Sequence, residues 1–323
     1  MNGGADIERR SAIPSPSAVS RRRTVTKRSD VGGRPHRRLT PYLLLIPAAT
    51  LYGVFTVYPI VRQFDISFFH WNVLPGETSP FVGWSNYSQI FRTAEIRTAA
   101  FNTLLYVVIT IPVQMLLGLF AAAVLTDRLP ASTLWRGLVF IPVVTSWVVV
   151  SYLFAYMFSP QGGLVDSFMG LFVGHTIHFD WLANTWTGNA IIWIVGIWKG
   201  VGWGFIIFLA ALDGVPRDII EAARMDGARE LRIWRTIIIP SIRSSLVFVL
   251  VLLVIGAATV FVSVYLITAG GPYDSTQVLY TYAYKLVFTD FEFGYGAAIA
   301  SVLAIVLFAL SWAQIRVLMP RQD

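Results

Sequence analysis

Six stretches of this chain carry one charged side chain between them, Lys199. They cover residues 41–61, 103–126, 137–158, 190–212, 246–267 and 297–315. Crossing the hydrocarbon of a bilayer as a helix takes roughly 20 apolar residues. In lipid the backbone has no water to bond, so each block must close its hydrogen bonds internally as a helix. The period-2 alternation of a membrane barrel does not occur. The blocks therefore predict an all-α integral membrane protein with six transmembrane helices. The chain is 55% hydrophobic and 13% charged, against roughly 25% charge in soluble domains. One membrane domain accounts for this length. With no cysteine present, disulfides, thiolate metal sites and cysteine nucleophiles drop out.

The net charge of +7 raises nucleic acid as a partner, but the basic residues flank the apolar blocks and follow topology instead. Ten lie in residues 1–38, two are Arg128 and Arg136, six run from Arg217 to Arg243, and Arg316 and Arg321 end the chain. Placing these 20 of 25 on one side puts both termini in the cytoplasm. Arg62, Arg92, Arg97 and Lys285 are left outside. Residues 1–38 read as a disordered basic cytoplasmic tail, too polar to offset its ordering entropy and suited to anionic headgroups. Ser20-Arg21-Arg22-Arg23 loosely resembles a twin-arginine signal, but the spans that follow argue against a cleaved leader. Residues 39–96 then hold the first span and an outer loop, and 97–318 the remaining five spans.

Between the fourth and fifth spans lies a polar segment, 214–240. Pro216 suits the first turn of a helix, and Asp218 and Glu221 favour its positive end. Apolar or small residues recur at Ile220, Ala223, Gly227, Leu231, Trp234 and Ile238, the stripe of one helix or of two joined at Gly227. The other face is rich in arginine. A lipid-surface helix prefers bulky apolar residues, whereas Ala222, Ala223, Gly227 and Ala228 leave room for another backbone. Docking onto a partner and packing on the protein's own spans both remain open from these residues alone.

Glu221-Ala222-Ala223, Asp226-Gly227-Ala228 and Ile239-Pro240 resemble the EAA loop of bacterial binding-protein-dependent ABC importer permeases. The resemblance extends through Pro41–Pro47, Tyr58-Pro59, Ser67-Phe68, Phe81-Val82-Gly83 with Asn86-Tyr87, and Asn102-Thr103. It continues in Ile141-Pro142, Trp198-Lys199 with Gly202, Val264–Thr268 with Gly270-Gly271-Pro272 and Ser275-Thr276, and Phe293–Gly296. The pattern is similar to the MalF/UgpA-like half of a sugar-permease pair and covers nearly everything after residue 38. It implies a type I ABC importer permease fold in a bacterial cell membrane. It also implies a second homologous permease, two ATPase subunits that bind ATP and Mg, and an extracellular substrate-binding protein. Glu221 to Gly227 would form a coupling helix seated on the ATPase. There Glu221 would be the charged anchor, Ala222, Ala223, Asp226 and Ala228 the docking surface, Gly227 the turn, and Pro240 the start of the fifth span. Gly270, Gly271 and Pro272 would form an outer gate loop. Ala269 and Asp213 depart from the pattern, which commonly has glycine and glutamine there.

The family resemblance and span depth nominate Lys199, Trp147, Tyr152, Tyr156, Trp193, Trp203, Thr259 and Ser263 for the translocation path. An intramembrane lysine is a functional candidate by default, and structural pairing inside the bundle is its other reading. Gly196, Gly200 and Gly204 step by four, a stripe suited to close helix packing or to lining the path. The outer aromatics Trp71, Trp84, Tyr87, Trp181, Trp186, Tyr273, Tyr280, Tyr282 and Tyr284 fit an interfacial belt, or stacking surfaces for sugar rings. His175 and His178 lack the companions of a metal site, and the chain has no phosphate-binding loop, so it hydrolyses no ATP itself. A secondary transporter would show internal repeats and need no docking loop. A membrane transferase would show clustered carboxylates or histidines, and Asp290 with Glu292 is the only close outer pair. Carbohydrate is the expected cargo, with glycerol 3-phosphate or a glycerophosphodiester as the alternative. No cofactor or metal is expected on this chain.

Overall fold

A computed structural model describes residues 40–73, 76–126, 131–175 and 178–319. The tail expected over 1–38 lies outside these residues, as do Arg128 and Arg321. The chain divides into two units, 1–55 and 56–323. In the first, helix α1 (Thr40–Tyr52) leads into a π-helical turn that begins at Gly53. Leu43, Leu44, Leu45 and Leu51 are exposed around it, as on a helix that is apolar on all sides and faces lipid.

The second unit continues as α2 (Tyr58–Ile66), α3 (Ser85–Arg92), α4 (Ala94–Thr126), α5 (Ser132–Val144), α6 (Trp147–Met157), α7 (Leu164–Val173) and α8 (Thr185–Asp213). After these come α9 (Arg217–Met225), α10 (Glu230–Ile233), α11 (Ile239–Ser241), α12 (Arg243–Ala258), α13 (Val262–Ile267), α14 (Leu279–Phe288) and α15 (Phe293–Leu318). The predicted division between residues 96 and 97 falls inside α4.

Among the described residues five helical runs are long and apolar enough to cross a membrane: Tyr42–Ile66, Ala94–Thr126, Thr185–Asp213, Arg243–Ile267 and Phe293–Leu318. The block expected as one span over 137–158 is instead a broken pair, with α5 and α6 meeting at 92°. Thr145 and Ser146 are extended at the break, so the last carbonyls of α5 lose their helical donors. Lys199 supplies replacements. The fifth run is also interrupted, where Thr259–Phe261 separates α12 from α13. A π-helical turn precedes Pro59 and another, Trp234–Ile238, precedes Pro240. A proline removes one helical donor and clashes with the carbonyl four residues back, and a widened turn accommodates both effects.

Three buried clusters follow one another along α4. The first joins Ile96 and Ala99 to Tyr282 and Tyr295. The second joins Tyr106 and Ile111 to Val150, Ile191 and Val195, and the third joins Ala122 and Leu125 to Phe205, Phe208, Ile233 and Ile238. The glycine stripe explains how α4 and α8 approach. A Cβ on Gly196 would run into the Tyr106 hydroxyl, and one on Gly200 into the Gln114 amide. On α4, Gly118 would meet the backbone of Phe205 at 3.1 Å. Arg136 closes the far end of α4 by donating to the Leu125 carbonyl at 2.7 Å.

Candidate functional site

A cavity of about 420 Å³ opens where α4, α6, α8 and the interruption after α12 converge. Trp147, Trp203, Thr259 and Ser263, four of the nominated path residues, line it. Gly196 and Gly200 of the glycine stripe line it too, whereas its other polar and aromatic walls, Tyr106, Gln114 and Phe261, and Gly256 were not expected there. Gln114 had a legible signal, a lone amide inside the apolar run 103–126. Tyr106 and Phe261 carried none apart from their neighbours.

The polar groups on these walls hold unused hydrogen-bonding capacity. Ser263 Oγ is buried with no partner among the described residues. Gln114 spends Nε2 on the Gly196 carbonyl at 3.0 Å, and among the described residues no donor reaches its oxygen. Trp147 and Trp203 keep 39% and 60% of their surface exposed, so their rings are open to a ligand. Among the described residues no charged side chain lines the cavity.

Lys199, nominated for the path with structural pairing as its other reading, is not among the residues that line this wall. It is buried at 3% exposure, and Nζ donates to the carbonyls of Pro142 and Thr145, both at 2.7 Å, and to Thr145 Oγ1 at 3.1 Å. Three acceptors take up the three donors of an ammonium, which caps the end of α5 as lysine does elsewhere. Trp193 is half-buried against the second cluster. Tyr152 and Tyr156 point outward from α6. None of these three reaches the cavity.

Segment 214–240 folds as two short helices that protrude from the third cluster. Pro216 flanks α9 just before its first turn, one position earlier than expected. Glu221 and Ala222 are exposed and Ala223 is half-buried. The helix ends in a Schellman arrangement: Gly227 N–H donates to the Arg224 carbonyl and Ala228 N–H to the Ala223 carbonyl, each at 3.0 Å. Gly227 takes φ +78°, a conformation glycine adopts without steric penalty. Asp226 is the exposed capping residue, and Arg224 Nε donates forward across the turn to Glu230 Oε1 at 2.8 Å. The expected stripe needs correcting. Gly227 and Leu231 are exposed, and Ala228 and Ile233 take their places inside, because the left-handed turn re-phases the second helix. Pro240 is exposed within α11, three residues before the span helix α12.

The loop after α13 is braced from several sides. Asn102 Nδ2 donates to the carbonyls of Ser275 and Gln277 at 2.7 and 2.9 Å. Thr276 Oγ1 donates to the Gly271 carbonyl at 2.7 Å, and a Cβ on Gly270 would collide with Gln277. Pro272 follows a cis peptide. Burial pushes the Asp274 carboxyl up, but hydrogen bonds from Lys285 and Gln277 and the Lys285 charge outweigh it and leave the group below the usual aspartate range. Tyr282, among the expected belt residues, is buried, and burial pushes its phenol up to about 12. Trp84, Trp186 and Tyr273 are exposed. His175 and His178 border a separate hollow beside Asp166, whose carboxylate already accepts from Phe179 N–H and Trp181 Nε1.

Residues 114–321 match the family model described as binding-protein-dependent transport system inner membrane component. The probable ABC transporter permease protein YurN of Bacillus subtilis is 33% identical over 281 residues, which cover 86% of this chain and 96% of YurN. The lactose transport system permease protein LacF of Rhizobium radiobacter is 30% identical over 302 residues, 92% of this chain and 97% of LacF. A chain of the bacterial alginate ABC transporter, crystallised with an alginate pentasaccharide-bound periplasmic protein, shares the fold at a TM-score of 0.71. It has 20% identity and covers 85% of this chain and 92% of its own. The chain belongs to the binding-protein-dependent inner membrane component family and is a non-catalytic permease subunit of an ABC importer.

Proposed function

We propose that this permease passes a carbohydrate through the cavity beside Trp147 and Trp203. The observation that carries this reading is the cavity's chemistry: open indole faces, free hydroxyl and amide oxygens, and no charge among the described lining residues. Aromatic rings stack on the C–H faces of sugars, and a few convergent polar groups orient a ligand in an otherwise apolar pocket. A phosphate would call for a cation, and the nearby Lys199 has its three donors engaged. Relatives named for lactose and alginate transport support the same class.

The transporter then comprises this chain, a second homologous permease, two ATPase subunits that bind ATP and Mg, and an extracellular binding protein, in the bacterial cell membrane with both termini in the cytoplasm. In this reading α9 seats on an ATPase subunit. Glu221 faces a basic group there, Ala222 and Ala223 let the backbones approach, and the turn at Gly227 carries the motion into the spans. Closure of the ATPase pair rocks the spans between two access states, as a rigid lever does. The Gly270-Gly271-Pro272 loop serves as the outer gate.

The test is ATP hydrolysis and uptake by the complete transporter in proteoliposomes, with its binding protein presented with lactose, a pentose trisaccharide or glycerol 3-phosphate. Stimulation by a saccharide supports the proposal. Stimulation by glycerol 3-phosphate alone would replace carbohydrate with a phosphorylated polyol.

A further inference from the structure

A lysine buried among membrane helices ordinarily faces a counter-ion or a pathway. Lys199 faces neither: among the described residues no carboxylate pairs with it, and it does not line the cavity. Its three hydrogen bonds go to Pro142 and Thr145, and its Nζ stands 4.8 Å from the centre of the Trp147 indole. All four contacts fall within six consecutive residues, the ones that make the 92° break between α5 and α6. Trp147 is the first residue of α6 and a wall of the cavity. One cation on α8 therefore holds both the end of one half-helix and the aromatic side chain that opens the next.

We infer that Lys199 is a positioning residue, which fixes the Trp147 indole against the cavity and so sets the stacking wall offered to the solute. The carbonyls alone would be satisfied by any donor. The ring face specifically attracts a cation, and does so most strongly where water is excluded. Trp147 keeps 39% of its surface exposed, so losing the cation leaves the ring free to turn. This assignment rests on the cavity being part of the solute path.

The test uses the full chain assembled with its partner subunits in lipid nanodiscs and proteoliposomes. The emission of Trp147 is isolated as the difference between each protein and its Trp147→Phe counterpart. Lys199→Gln keeps donors for the carbonyls and removes the charge. Its Trp147 emission is expected to move to longer wavelength and to be quenched more strongly by acrylamide. Uptake of whichever panel saccharide the parent moves is expected to fall about tenfold, the scale of one desolvated cation–π contact. Lys199→Arg keeps a cation and should return emission and uptake toward the parent. Unchanged emission and quenching in Lys199→Gln would overturn the assignment. If that variant does not assemble, Lys199→Arg decides alone: parental Trp147 emission supports the inference, and a shifted emission in the assembled complex removes it. Failure of the passage reading shows differently, because Trp147→Ala would then take up the saccharide at the parental rate.

Discussion

Gln114 donates from Nε2 to the Gly196 carbonyl at 3.0 Å, tying α4 to α8 at the point where both border the cavity. The bond forms because neither Gly196 nor Gly200 carries a Cβ that would hold the helices apart. Replacing Gly196 by leucine should force the pair open and destabilise the protein by about 1–3 kcal/mol, the usual scale of overpacking. Gly137, where an added Cβ would meet nothing within 4 Å, should tolerate alanine. Thermal melting in detergent separates the two, and equal Tm values would contradict this packing.

Ser263→Ala should move stability and transport in opposite directions. Its hydroxyl is buried without a partner among the described residues, and such a group costs about 1–3 kcal/mol. The alanine variant should melt at the same or a higher temperature and take up solute more slowly. A variant that is less stable would mean the hydroxyl has a partner in the protein.

Glu221→Arg and Gly227→Val should both abolish transport while membrane insertion and fold persist. Glu221 is exposed, so reversing its charge disturbs no packing. A Cβ on Gly227 meets nothing within 4 Å, but φ +78° strains it by roughly 1–2 kcal/mol and shifts the turn. Circular dichroism checks the fold, and uptake by the reconstituted transporter checks the function. Normal uptake by either variant would remove α9 from the coupling role.

Ala269 and Gly270 should respond in opposite senses to exchange. Ala269 holds φ +50°, where glycine relieves strain, so Ala269→Gly should gain about 1 kcal/mol after its extra chain entropy is set against the relief. Gly270→Ala places a Cβ into Gln277 at φ +85° and should lower Tm. A higher Tm for Gly270→Ala would mean the loop is not held as described.

Acid should loosen the same loop. The folded Asp274 carboxyl sits below its ordinary value, so its contribution is fully present above about pH 3.9, the unfolded aspartate value. It is lost as pH falls through the lower folded value. Asp274→Asn should flatten that part of the stability–pH curve, measured as Tm between neutral and strongly acidic buffer. Identical pH dependence in both proteins would rule out the Lys285–Asp274 pair as its source.

Much of this arrangement was legible in the chain. Apolar block length gave the spans, because the demand for internal hydrogen bonds in lipid leaves helices as the solution. Several motif residues proved to be local fixtures: Asn86 donates to the Ser67 and Phe69 carbonyls, Asn102 ties down the outer loop, and Gly227 makes the expected turn. The break at Thr145 was not legible, since hydropathy averages over direction and the residues on both sides are equally apolar. The group that satisfies its carbonyls lies more than fifty positions away, in Lys199. The same limit hid Tyr106 and Phe261, whose place on the cavity wall depends on which helix faces they share.

The 92° break also bears on how the chain enters the bilayer. At 1.5 Å per residue, α5 with 13 residues and α6 with 11 reach about 20 and 16 Å, short of the roughly 30 Å hydrocarbon thickness. The donors that satisfy the carbonyls at the bend belong to a residue synthesised more than fifty positions later. The bend of the third block thus gains these hydrogen bonds only with the fourth block in place beside it.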